Sequence, residues 1–231
     1  MYRKWFVALA MCLAGSAQAR EVSVSVGVRA WLTDWSTFSY FVDPNDPNTN
    51  LAITEVSANE ELVLMPTLSV RYGDFLGSVS GFPSTDFSFD DGGKGSRNEF
   101  DVNVGYYVMK GLAFTLGYKQ VTQKGDGRRY RPAGPVLGMN ANAPLGGAWS
   151  LYGSLGIGWL KTPGSDEVDF DADYRLGELG VAYTLNGSKL PKHWSFTAGY
   201  RIQVLTSKDA FNTQDGRDTT QGFTLGVLAT F

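Results

Sequence analysis

The sequence predicts an all-β chain that folds into an antiparallel up-and-down barrel of about ten strands. Segments of about ten residues with alternating apolar and small or polar side chains recur along it. Turn-forming residues separate these segments, and the connections alternate between short and long. After residue 20, no stretch reaches the roughly 20 apolar residues of a membrane-spanning helix.

The first 19 residues read as a secretory signal. Arg3 and Lys4 provide the charged start, residues 5–13 form the apolar centre, and Ala17-Gln18-Ala19 matches a small-residue cleavage site. The apolar run is too short to span a bilayer. We therefore expect a removed signal over 1–19 and a single barrel domain over 20–231.

Composition excludes several classes of function. Cys12 is the only cysteine and lies within the signal, so the mature chain has no disulfide, thiol nucleophile or thiolate metal site. Loss of Arg3 and Lys4 leaves 18 basic and 23 acidic residues, which changes the net charge from −3 to −5. This acidic balance argues against a nucleic-acid partner, and no motif calls for a cofactor or a metal.

Each predicted strand has one apolar face, because side chains two residues apart point the same way. The predicted strands are 22–33, 61–72, 75–82, 98–108, 112–121, 136–143, 148–160, 173–185, 194–206 and 219–231. Their apolar faces include Val22, Leu62, Phe100, Leu112, Trp149, Leu179, Trp194 and Phe223, and continue at alternate residues. Strands 75–82 and 136–143 have weak patterns, so eight strands is the alternative.

The last strand has the clearest pattern. Its apolar face is Phe223, Leu225, Val227, Ala229 and Phe231. A terminal strand of this kind, ending on Phe231, resembles the closing strand of the small bacterial outer-membrane β-barrel superfamily, and the resemblance extends over nearly all of 20–231. It implies that the barrel-assembly machinery reads this strand, and that outer-membrane lipid and lipopolysaccharide surround the chain.

An edge strand of a soluble sandwich is the alternative for this segment. A sandwich places polar side chains outward around an apolar core, whereas the second face here is mostly glycine, serine, threonine and charge. Trp149 and Trp159 lie ten residues apart on one face. This spacing is about 33 Å of strand, or roughly 25 Å along the membrane normal after tilting, which matches the apolar band of such barrels.

The order of the connections predicts an orientation. The short connections are 73–74, 109–111, 144–147 and 186–193, and the long ones are 34–60, 83–97, 122–135, 161–172 and 207–218. Outer-membrane barrels have short periplasmic turns and long outer loops. With an even strand count, we expect both termini in the periplasm.

Two pairs of charges are predicted to face each other inside the barrel. A symmetric turn at Lys110 places Asp101 opposite Lys119, and a symmetric 186–193 turn places Glu178 opposite Arg201. Buried charges must be paired or hydrated. The inward charges, which also include Arg29 and Arg71, could form a polar plug or a selectivity ring for a small solute. Inward glycines such as Gly156 and Gly158 would add space.

The sequence gives little support for an enzyme. Outer-membrane barrel enzymes generally use a histidine with a carboxylate or serine near the outer rim, whereas the only histidine, His193, falls in a predicted periplasmic turn. We therefore expect no catalytic residues. The leading hypothesis is an envelope-structural or surface-contact barrel, and a narrow, porin-like channel is the alternative.

The long connections contain the candidate surface contacts. Trp35, Phe38, Tyr40 and Phe41 would be exposed aromatics on the first of them, suited to a partner or to lipid headgroups, with an extension of the outer aromatic girdle as the alternative. Arg128, Arg129 and Arg131 would contact lipopolysaccharide phosphates. An acidic stretch over 166–173 is expected to be a solvated loop, with Ca²⁺ binding as the alternative.

Overall fold

The computed structural model describes residues 22–42, 51–125, 128–162, 171–208 and 216–231. The predicted signal and most of the acidic stretch lie outside these residues. The described parts of the chain contain no apolar helix long enough to cross a membrane.

The described residues form twelve antiparallel strands. They are β1 (Val22–Val42), β2 (Leu51–Ser57), β3 (Glu61–Tyr72), β4 (Phe75–Ser88), β5 (Lys94–Met109), β6 (Leu112–Gly125), β7 (Arg128–Tyr130), β8 (Ala133–Gly146), β9 (Trp149–Lys161), β10 (Asp171–Asn186), β11 (His193–Lys208) and β12 (Gly216–Thr230). Their alternating side chains favour this arrangement, because one apolar face per strand suits a sheet with different surroundings on its two sides.

Ten of these strands close into a barrel, and β2 and β7 extend it at one end. β1 pairs with β3 on one side and with β12 on the other, from Ser25↔Thr230 to Phe38↔Arg217. The first and last strands therefore leave no free edge between them. The predicted ten-stranded barrel is confirmed, and the eight-stranded alternative is wrong.

The strands extend further than predicted at the end of the barrel where the long connections lie. The predicted strand 22–33 continues to Val42, and the predicted 75–82 continues to Ser88. Much of the expected first loop is a hairpin, since 36–42 pairs with β2. This corrects the placement of Trp35, Phe38, Tyr40 and Phe41, all of which lie in β1 rather than in a loop.

The outer surface carries a continuous apolar band. Trp149 and Trp159, at the two ends of β9, are 51% and 52% exposed. Aromatic pairs occur on neighbouring strands, such as Trp149 with Tyr183, whose ring centroids are 4.8 Å apart. Large exposed apolar side chains on this scale mark a surface that contacts lipid or protein.

The pairing of β1 with β12, which closes the barrel, provides a direct test of the fold. Val26 lies opposite Ala229 in the β1–β12 ladder, so we expect V26C/A229C, in a C12S background, to form an intramolecular disulfide on mild oxidation. The oxidised chain would be a ring of more than 200 residues and would migrate faster than the reduced chain on a denaturing gel. V26C/L225C is the control, because four residues displace the partner by about 13 Å, beyond disulfide reach. Equal cross-linking of both variants would contradict this register.

Candidate functional site

The candidate site is the interior of the barrel, where one group of charges joins β5 and β6. Lys119 lies opposite Asp101 in the ladder, as the symmetric turn predicts, and its Nζ is 3.1 Å from Asp101 Oδ1. The same ammonium donates to Glu99 Oε2 at 2.6 Å, and Arg97 Nη2 donates to Glu99 Oε1 at 2.6 Å. Lys119, Glu99 and Arg97 are almost completely buried, so each charge depends on its partners.

A second group of charges joins β10, β11 and β1. Glu178 lies opposite Arg201, the other predicted pair, and Arg201 Nη1 is 2.8 Å from Glu178 Oε2. Arg29 Nη1 also donates to both carboxylate oxygens, at 2.7 and 2.8 Å. Since β12 and β11 separate β1 from β10 in the sheet order, this contact links strands that are not neighbours.

The structure brings both predicted pairs together and adds partners that sequence reasoning missed. Glu99 lies two residues before Asp101 on the same strand, so its side chain points inward as well, and strand periodicity could have identified it. Arg97 fell outside the predicted strand 98–108, because β5 begins earlier, at Lys94. The contact of Arg29 with Glu178 has no signal in the sequence, since 149 residues separate them. Arg71 instead donates to the Gly73 carbonyl at a short turn.

Two apolar clusters fill the interior on the side of the long connections. The first, which we call the aromatic cluster, consists of Trp31, Trp35, Ala58, Val63, Met65, Phe82, Phe87 and Phe89. The second apolar cluster consists of Val121, Val136, Leu160, Ala172, Tyr174 and Leu205. Charges and clusters are in contact, because Arg201 lies 5.5 Å from the Trp31 ring and Lys119 lies 4.8 Å from the Tyr174 ring.

The inward glycines receive neighbouring side chains instead of leaving open space. A Cβ added at Gly158 would lie 2.8 Å from Val136 Cγ2, and one at Gly180 would lie 2.6 Å from the Tyr152 hydroxyl. A Cβ at Gly156 would lie 3.3 Å from Leu176 Cβ. At Gly156 and Gly158 the expected extra space is therefore filled, because Leu176 and Val136 on the adjacent strands lie over these glycines.

The opposite half of the interior is lined by small polar groups. Ser69, Ser78, Asn103, Thr115 and Asn140 alternate with outward apolar residues, and all are partly exposed. Ser154 Oγ donates to Asn140 Oδ1 at 2.8 Å. The interior is therefore polar and accessible towards the short turns, and packed towards the long connections.

The predicted surface and catalytic candidates lie elsewhere. Trp35 is 6% exposed and belongs to the aromatic cluster, so its assignment as a surface contact is wrong. Phe38 remains partly exposed, and its ring is 5.2 Å from the Arg217 guanidinium. The side chains of Tyr40 and Phe41 are outside the described residues. His193 lies at the short-turn end, where its Nδ1 is 3.0 Å from Asn186 Oδ1.

Comparison with known proteins identifies the fold. No protein-family model and no curated protein sequence matches the chain. The outer membrane protease OmpT from Escherichia coli matches 91% of this chain and 96% of its own, with a TM-score of 0.52 and 9% identity. The outer membrane protein OprG from Pseudomonas aeruginosa matches 92% and 96%, with a TM-score of 0.39 and 14% identity.

At these identities the likeness concerns the fold alone. The chain has the fold of the bacterial outer-membrane β-barrels, which confirms the resemblance inferred from the terminal strand. It does not identify a specific activity, because one barrel architecture carries many functions.

The buried charges give a stability prediction. Lys119→Met removes the cation that Glu99 and Asp101 share. Arg97 still neutralises the charge of Glu99, but Asp101 loses its partner. We therefore expect the free energy of unfolding to fall by roughly 3–5 kcal/mol. Lys161→Met is the matched control, because Lys161 and its partner Asp171 are 3.6 Å apart and largely exposed, and such pairs contribute about 1 kcal/mol or less. Denaturant unfolding in lipid vesicles measures both. Similar losses in the two variants would contradict a structural role for the buried network.

Proposed function

We propose that this chain is an integral, non-catalytic protein of the bacterial outer membrane, with a structural or surface-contact role. The fold and the continuous apolar band support the location. In the proposed orientation the short turns and both termini face the periplasm and the long connections face outward. The terminal strand and Phe231 then serve as the signal for the barrel-assembly machinery.

The packed interior is the observation that carries the non-conducting role. Near the long connections, Trp31, Val63 and Val121 have no exposed surface, and Leu160 is 1% exposed. Among the described residues, the inward charges Glu99, Asp101, Lys119, Glu178 and Arg201 are paired with one another or with Arg97 and Arg29, and they lie beside these clusters. A selectivity ring would need charges that face a water-filled pore. These contacts support a plug that stiffens the barrel.

The position of His193 supports a non-catalytic role. Its imidazole lies at the end of the β10–β11 hairpin beside Asn186. Three inward carboxylates, Glu99, Asp101 and Glu178, are engaged by Lys and Arg side chains, and a fourth, Asp218, accepts from Trp35, Thr37 and Gln123. A histidine-based hydrolase needs its base within hydrogen-bonding reach of a carboxylate or nucleophile.

Outward-facing charges near the long connections support contact with lipopolysaccharide. Arg175 lies opposite Ile157 on β9, Lys161 ends β9, and Arg131 lies two residues before β8. All three are exposed, and Arg131 also donates to Gln120 at 2.9 Å. An exposed arginine is tolerated near the interface but costs about 2–4 kcal/mol at the bilayer midplane. Guanidinium groups suit the phosphates of lipopolysaccharide.

A narrow channel is the second candidate, because small polar groups line the half of the interior near the short turns. Wider passage would require the charged groups and both apolar clusters to move apart. Conductance therefore separates the two functions.

We expect the wild-type protein to show no stable single-channel steps in planar bilayers, because its interior is closed near the long connections. Removing the plug, with Glu99, Lys119 and Leu160 all replaced by alanine, should produce steps in protein that still shifts mobility between unheated and boiled gel samples. Steady steps in the wild type would overturn the non-conducting role and favour the channel.

We expect R131Q/K161Q/R175Q to retain less lipopolysaccharide through purification than the wild type, because three cations near its phosphates are lost. Phosphate analysis or native mass spectrometry measures the bound amount. R71Q is the control, since it removes an exposed cation at the short-turn end. Unchanged retention in the triple variant would exclude this surface as the lipopolysaccharide contact.

A further inference from the structure

The wall of the barrel is interrupted between β3 and β4. Their ladder runs from Tyr72↔Phe75 only to Thr67↔Ser80. Beyond it, residues 61–66 have ladder partners in β1 alone, and residues 81–82 and 85–87 have ladder partners in β5 alone. The wall closes again where Ala58 bridges Phe89 and the Asn59 N–H donates to the Ser88 carbonyl at 3.0 Å. We call residues 61–66 and 81–88 the seam.

Local sequence explains the seam. Pro66 and Pro83 have no N–H to donate, and proline within a sheet is confined to edges and bulges. The β4–β5 register also shifts between Phe82 and Thr85, which marks a bulge. A bulge bends its strand and disrupts pairing. Both edges of the seam, 61–66 on β3 (the β3 lip) and 81–88 on β4 (the β4 lip), therefore contain residues that disfavour a continuous ladder.

The aromatic cluster lies directly behind the seam and closes it with side chains. Val63 and Met65 come from the β3 lip, and Phe82 and Phe87 from the β4 lip, all less than 8% exposed. The Trp31 and Phe82 ring centroids are 6.3 Å apart in an edge-to-face arrangement. By contrast, Tyr174 of the second apolar cluster lies behind a wall whose β9–β10 and β10–β11 ladders are continuous.

The outer side of the seam belongs to the apolar band. Leu62 and Leu64 on the β3 lip are 61% and 52% exposed, and the band continues to Leu68. Elsewhere in the wall, parting two strands would break their ladder and leave backbone groups unpaired in hydrocarbon, at several kcal/mol each. Contacts among apolar side chains can be exchanged for contacts with apolar chains at little cost, because lipid tails are as apolar as leucine. The seam is thus the section of wall that can part most easily.

We propose that the seam is a lateral binding cleft for the acyl chain of a membrane lipid. The chain enters between Leu64 and the bulge at 83–84 and contacts the aromatic cluster, so the site is continuous with the lipid-facing band and has apolar partners on both sides. This inference rests on the proposed membrane location and is independent of whether the lumen conducts.

Quenching of tryptophan fluorescence by lipids with brominated acyl chains tests the cleft. In W149F/W159F/W194F, within the mature chain only Trp31 and Trp35 emit. We expect brominated vesicles to quench them almost as strongly as the outward tryptophans of W31F/W35F. The control carries Tyr174→Trp in a background with all five mature tryptophans replaced by phenylalanine. Because its reporter is equally inward but lies behind paired strands, it should keep most of its emission.

A second pair of variants separates the cleft from general loosening of the barrel. Phe82→Ala enlarges the cluster behind the seam and should increase quenching of Trp31 and Trp35, whereas Leu160→Ala makes a comparable cavity elsewhere and should not. Quenching of Trp31 and Trp35 no stronger than that of the Tyr174→Trp reporter would overturn the cleft while leaving the membrane location intact. Unquenched outward tryptophans in W31F/W35F would overturn the membrane location and, with it, the cleft.

Discussion

Backbone pairing between strands is the interaction that organises this fold, because an unpaired N–H or C=O group away from water costs several kcal/mol. The β1–β12 ladder meets it by joining residues some 200 positions apart in the sequence, such as Ser25 and Thr230. Once the sheet is closed, alternate side chains necessarily face outward or into the interior. The exposed tryptophans of β9 and the inward charges of β5 and β6 are two consequences of that closure.

Closure creates a confined interior, and the interior imposes a second requirement. A charge held there needs a partner, because desolvation costs several kcal/mol per ion. Glu178 meets it with two arginines from other strands, and Glu99 with a lysine and an arginine. Glycines on one strand accommodate large residues of the next, as Gly180 does for Tyr152. Filling and charge pairing together support the proposed plug.

The seam shows what happens where the pairing constraint is relaxed. Pro66 removes one donor and the bulge after Phe82 shifts the register, so an aromatic cluster replaces part of a ladder. Side-chain packing holds the wall together there, with contacts that lipid can also provide. The proposed cleft would give the barrel one section suited to lipid entry, beside a continuously paired wall backed by the second apolar cluster.

Features that depend on local period and short turns can be read from the residues alone. Alternation identified the strands, including 61–72 with the bounds that β3 has, and symmetric turns placed Asp101 opposite Lys119 and Glu178 opposite Arg201. The length of β1, and hence the interior position of Trp35, follows from packing in the closed barrel. The same is true of the contact between Arg29 and Glu178 and of the seam in front of the aromatic cluster. These contacts depend on barrel diameter and strand stagger, which only closure of the whole sheet sets.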